Sequence, residues 1–240
     1  SVEEASSLAL ECEESALGAD ARIENSEGAS VDAHQGVEVY GNSLGFIGHT
    51  QKSRQGISCS VIAGSGDSMQ RDYWYSSARR LRDLDTPEHV GDQAARRTLR
   101  RLGARRVPTC RVPVIYEAPV ASSLLGHFIS AISGGALYRK ASFLLDHLDK
   151  KIFPEFVRIH EQPLIMGGMG SAAFDGEGVA TSARDIVSDG ILRGYVLGSY
   201  SARRLELQTT GNAGGVHNLT IDTGDQNLEQ MISSIDEGFL

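Results

Sequence analysis

The chain has 240 residues, 40% of them hydrophobic and 22% charged, the balance of an ordinary folded protein with room for one large domain or two smaller ones. Its 23 Lys and Arg against 31 Asp and Glu leave a net charge of −8, which argues against a general nucleic-acid binder that must neutralise phosphates. The three cysteines, Cys12, Cys59 and Cys110, lie far apart and form no CxxC pair, so neither a disulfide framework nor a thiolate zinc cluster is expected.

No signal peptide and no apolar run of membrane-spanning length is evident, and the expected location is the cytoplasm. The chain starts without methionine inside a helix-like stretch, residues 2–17, and stops on Gly238, Phe239 and Leu240. It therefore reads as an internal fragment of a longer protein.

A run with period-two patterning follows the first helix. Val37 and Val39 alternate with polar neighbours, Gly41, Asn42 and Ser43 supply turn chemistry, and Leu44 and Phe46 come next. Ile57, Cys59, Val61 and Ala63 alternate clearly, and a Gly64–Asp67 turn precedes Met69, Arg71, Tyr73 and Tyr75. This pattern predicts a four-stranded antiparallel meander, buried on one face and wet on the other. A helix should then begin at Thr86 as N-cap, with Pro87 in its first position and Glu88 at its positive end, and close near Gly103. Residues 105–108 resemble a connector between domains.

The second half opens with an apolar strand over residues 112–116. A helix follows, with Ala121, Leu124, Leu125, Phe128, Ile129 and Ile132 on one apolar face and Gly134-Gly135 as its end. Residues 157–160 suit a strand. Ile186-Val187 and Ile191-Leu192 flank Ser188, Asp189 and Gly190, a hairpin signal. A further helix is expected over residues 200–207, then a glycine-rich loop over residues 211–215. The fold class is α+β: an antiparallel meander with helices, then a β-rich part with helices.

Catalytic patterns are sparse. No histidines have HExxH spacing. His127 sits at the edge of the apolar helix and reads as a boundary residue. His147 beside Asp146 and His160 beside Glu161 are isolated pairs. His217 and Asn218 suit a turn after the glycine loop better than a ligand site. That loop lacks the Lys-Ser/Thr ending of a phosphate-binding loop and follows a helix, so positive backbone φ is its simpler explanation. The serine elbow GxSxG is absent. Arg96, Arg97, Arg100, Arg101, Arg105 and Arg106 form a basic stripe, read as solvated, with partner docking as the alternative.

Four stretches, taken in order, resemble the TldD/PmbA family, called modulators of DNA gyrase and classed as metallopeptidases. They are EGASVDAHQGVEVYGNSLGF (residues 27–46), MQRDYWYSSAR (69–79), FDGEGVATSARDIVSDGILRGYVLGSYSARRL (174–205) and TTGNAGGVHN (209–218). The resemblance implies that residues 1–107 are the C-terminal portion of the family's N-terminal α+β domain. Residues 108–240 would be the start of its C-terminal domain.

The family has two kinds of subunit. The TldD type carries HExxxH, in which two imidazoles hold zinc, the glutamate is general base, and a later cysteine completes the ligand set. Matching LLGHF (residues 124–128) to the LEGDF after that motif places its first histidine at Glu117, its glutamate at Ala118 and its second histidine at Ser122. Alanine cannot serve as a base, serine is a poor zinc ligand, and one carboxylate does not hold zinc against water. The cysteine region would lie beyond Leu240.

Together with GGALYRK (134–140) and TGNAGGVHN (210–218), LLGHF resembles the PmbA type, or TldE, the non-catalytic partner. The resemblance thus implies no catalytic, cofactor or metal residue in this chain. It implies zinc in a TldD-type partner subunit, a cytoplasmic heterodimer, and unfolded or extended peptides as substrate, with roles in peptide maturation and antitoxin degradation. Nucleic acid and membrane are not expected as partners. The alternatives are a self-sufficient metallopeptidase using Glu117, His127 and unrecognised ligands, or a regulatory binder connected with DNA gyrase.

Overall fold

The structure, a computed structural model, describes residues 1–240. In chain order its elements are α1 (Val2–Gly18), β1 (Ile23–Gly41), β2 (Ile47–Ala63), β3 (Gln70–Ala78), α2 (Pro87–Arg100), α3 (Ala118–Ala131), α4 (Gly134–Tyr138), β4 (Ile159–Glu161), β5 (Arg184–Ser188), β6 (Ile191–Leu192), α5 (Ser199–Arg204), β7 (Leu219–Ile221) and α6 (Leu228–Ser233). Two compact units divide the chain. The first holds Ser1–Val39 and His49–Pro108, and the second holds Tyr40–Gly48 and Thr109–Leu240. This is the α+β class expected, with antiparallel strand pairing and helices in both halves.

In the first unit a three-stranded sheet, ordered β1-β2-β3, replaces the expected four-stranded meander. The correction falls at Leu44 and Phe46. They belong to the turn and start of one long hairpin, in which the Asn42 side chain accepts from the Leu44 and Phe46 amides. Ile57, Cys59, Val61 and Ala63 all point inward, as their period-two spacing requires. They meet Cys12 and Ala16 of α1 and Val90, Ala94 and Ala95 of α2. Thr86 caps α2 by accepting from the His89 amide, with Pro87 in the first helical position.

Trp74 and Tyr75 show the two faces of β3. Trp74 packs against the core, with the Arg97 guanidinium 5.3 Å from its ring centroid. Tyr73 and Tyr75 stack on the exposed face. Arg97 and Arg101 also approach Asp72, so the basic stripe is not solvated throughout.

In the second unit the sheet order is β6-β5-β4-β7. The hairpin at Ser188–Ile191 forms as expected: Asp189 and Gly190 take φ of 53° and 72°, the pair of positive angles a tight hairpin turn needs. Residues 112–116 do not form a regular strand. Val114 makes an isolated parallel bridge with Phe239, where the Ile115 amide donates to the Phe239 carbonyl at 2.8 Å. The apolar face of α3 is also less buried than its pattern suggests. Phe128 and Ile132 are buried, Leu125 and Ile129 are partly covered, and Leu124 is exposed. Gly134 and Gly135 do not follow the helix as a stop signal but open α4, where the Gly134 amide donates to Val196. No helix is long and apolar enough to cross a membrane.

Candidate functional site

Glu117 is the N-cap of α3, with extended backbone at φ −58° and ψ 144°. Its carbonyl accepts the Val120 and Ala121 amides, so the start of α3 is held by backbone. Glu117 is half-buried, while Ala118 and Ser122 are exposed. Ser122 Oγ donates to the Pro119 carbonyl at 2.9 Å, which directs it to the helix backbone. The Ala118 side chain has no atom that could bind a metal. A zinc ion needs several neutral-imidazole or anionic ligands around one point, and this set does not supply them. His127 lies ten residues after Glu117, about 15 Å along a helix at 1.5 Å per residue, so the two cannot share a metal ion.

Three further histidines have structural engagements. His147 Nδ1 lies 2.8 Å from the Leu145 carbonyl, and its amide donates to the Tyr195 hydroxyl. His160 is flanked by Asp185 on β5 and by Asp222 just beyond β7, and so bridges three strands. The His217 ring lies between the Gly170 and Gly211 carbonyls, and Asn218 accepts from the Gly170 amide at 2.8 Å. No group of three or more His, Cys, Asp and Glu side chains is gathered closely enough to hold a metal ion.

The densest polar construction surrounds the glycine loop. Glu161, 1% exposed at the end of β4, accepts Arg184 Nε at 2.8 Å through Oε2. Its Oε1 accepts Asn212 Nδ2 at 2.7 Å and the His217 amide at 2.8 Å. Arg184 also donates to Asn212 Oδ1 and the Tyr195 carbonyl, so every arm of this buried pair has a partner. Nearby, buried Asp175 accepts the amides of Glu177, Val179 and Ala213. Gly211, Gly214 and Gly215 all have positive φ, as the loop's composition predicts.

The two networks hold the walls of a groove of about 390 Å³, lined by Gly134, Gly198, Gly214, Tyr138, Tyr200 and Glu177 among others. Sequence reasoning missed Glu161, Asn212 and Glu177. The available signal was Glu161 sharing a strand face with buried Ile159, a position where an unpaired charge would be too costly.

An α+β hairpin unit followed by a glycine-loop unit is the arrangement of a metallopeptidase family's central and C-terminal domains. Residues 1–102 match the family model of the PmbA/TldA metallopeptidase central domain, and residues 109–240 that of the C-terminal domain. The chain belongs to the PmbA/TldD family. It is 47% identical over 240 residues to the Metalloprotease PmbA of Escherichia coli O157:H7, covering 100% of this chain and 53% of that protein. A crystal structure of a proposed modulator of DNA gyrase from Bacteroides thetaiotaomicron superposes with TM-score 0.92 at 31% identity, over 99% of this chain and 54% of that one. TldE from Thermococcus kodakarensis shares the fold, with TM-score 0.74 at 20% identity, over 97% of this chain and 55% of that one. The chain thus spans about half the length of the curated relatives it matches.

Proposed function

We propose that this chain is part of a PmbA/TldE-type, non-catalytic subunit. It would pair in the cytoplasm with a TldD-type subunit that holds zinc and cleaves unfolded or extended peptides. The reading rests on the head of α3, where Glu117, Ala118 and Ser122 offer no zinc-binding set and where the family resemblance would put the catalytic type's two histidines and its base. The family membership and the relative named as a metalloprotease support the peptidase context. Peptide maturation and antitoxin degradation are the roles that context suggests.

Co-expression with a TldD-type subunit tests this directly. The two should co-purify as a complex, and peptide cleavage should require the partner's zinc. A protein that stays apart from the TldD-type subunit contradicts the proposal. So does chelator-sensitive peptidase activity in its absence. A second reading, regulatory binding to DNA gyrase, draws on the description of the Bacteroides relative. Direct binding to gyrase without proteolysis would favour it.

A further inference from the structure

The glycine groove of the second unit has a feature that the networks around it do not use. Glu177 Oε2 accepts the Ser199 amide at 2.7 Å, which fixes the carboxylate, but Oε1 accepts no hydrogen bond and the side chain has no cation partner. The Glu177 amide is itself held by Asp175 at 2.9 Å, so the group stands on a rigid turn. A half-buried carboxylate with one oxygen free of protein donors is a ready acceptor for a cationic ligand.

The surroundings restrict what that cation can be attached to. A Cβ on Gly198 would press against Ala213 at 3.2 Å, and one on Gly134 would collide with the Ser201 side chain, so both wall positions require glycine. Gly214 has open space where a side chain would otherwise stand. Bare backbone along a groove of this size admits the main chain of an extended peptide closely. On the rim, Tyr138 and Tyr200 meet edge to face at 5.6 Å between centroids. The Arg139 guanidinium already covers Tyr138 at 5.4 Å, while Tyr200 is 57% exposed. Tyr200 follows Ser199, the residue bonded to Glu177, and so leaves an aromatic face for a second guanidinium or ammonium.

From this we infer that the groove is a subsite for a lysine or arginine side chain of an extended peptide, with Glu177 as ion-pair acceptor and Tyr200 as aromatic wall. The inference rests on the peptide-handling function proposed above and adds a substrate preference to it.

The test uses fluorescence anisotropy with two labelled peptides, both acetylated and amidated so that neither terminus is charged. One carries a central arginine and the other citrulline, its neutral near-isostere. The arginine peptide should bind roughly tenfold more tightly. Glu177→Gln keeps an oxygen for the Ser199 amide and should abolish that difference. Tyr200→Leu, at an exposed position, should reduce the same preference, and it serves if the Gln variant does not fold. Equal affinity for the two peptides, or a preference that survives both substitutions, overturns the inference. If the chain still joins a TldD-type subunit in that case, the subunit reading stands and the subsite alone is lost. If it does not join, the subunit reading falls independently.

Discussion

Asn212 and Glu161 meet in the interior of the second unit, where Asn212 Nδ2 donates to Glu161 Oε1 at 2.7 Å across 51 residues of sequence. This bond ties the glycine loop to β4, and Arg184 completes it by contacting both residues. The loop is therefore shaped by buried polar bonds as well as by its glycines.

Glu161→Ala should be the most damaging single change to this network. It would leave the Arg184 guanidinium buried without its counter-charge, a loss on the order of 3–5 kcal/mol. Asn212→Ala should cost less, about 1–3 kcal/mol, because it removes no charge and leaves Glu161 and Arg184 paired with each other. Urea unfolding followed by circular dichroism would rank the two, and the opposite ranking would count against this reading of the network.

Gly91 is where α2 crosses α1. A Cβ there would collide with the Cys12 carbonyl oxygen, a backbone atom that cannot turn aside. Although alanine favours helix, Gly91→Ala should destabilise the first unit by about 1–3 kcal/mol through overpacking. A variant of unchanged or higher melting temperature would show that the helices can separate without cost.

The cysteines should divide into two classes. Cys12 and Cys59 are buried against each other. Hydrogen bonding to Cys59 and then burial hold the Cys12 thiol well above the ordinary range. Cys110 is exposed. A disulfide reagent should titrate Cys110 rapidly in the native protein and reach Cys12 and Cys59 only after denaturant is added. Rapid reaction of all three would mean that the α1–β2 contact opens readily.

Asp185 gives a pH signature. Burial pushes its carboxyl up, but hydrogen bonds from Arg158 and His160 outweigh that and hold it below the usual range. A carboxyl lowered in the folded state contributes stability that is fully present above its unfolded value, about 3.9. That contribution is lost as pH falls through the lower folded value. Asp185→Asn should therefore flatten the acid side of the stability curve, while wild type loses stability below about pH 4. Parallel curves for the two proteins would contradict the ion-pair account.

Much of the fold was legible because the relevant signals are local. The cap at Thr86, the positive-φ pair at Asp189-Gly190 and the alternation from Ile57 to Ala63 all act within a few residues. What escaped depends on distant partners. Residues 112–116 carry a strand's composition, but Val114 finds only an isolated bridge to Phe239, far along the chain. The long hairpin read as extra strands because its turn residues, Leu44 and Phe46, share the alternation of its arms. Glu161 looked like an unremarkable neighbour of His160 because Arg184 and Asn212 come from separate elements. At the head of α3, chemistry alone shows that Glu117, Ala118 and Ser122 make a poor zinc set. Only the family resemblance gives those positions meaning.

The most direct test of the non-catalytic reading is the zinc content of the naturally occurring protein that carries this sequence, purified without a TldD-type subunit and measured by mass spectrometry after dialysis. The donor set at Glu117, Ala118 and Ser122 predicts no stoichiometric zinc. Tightly held zinc in a one-to-one ratio, released by Glu117→Ala, would contradict the account and place a working metal site at the head of α3.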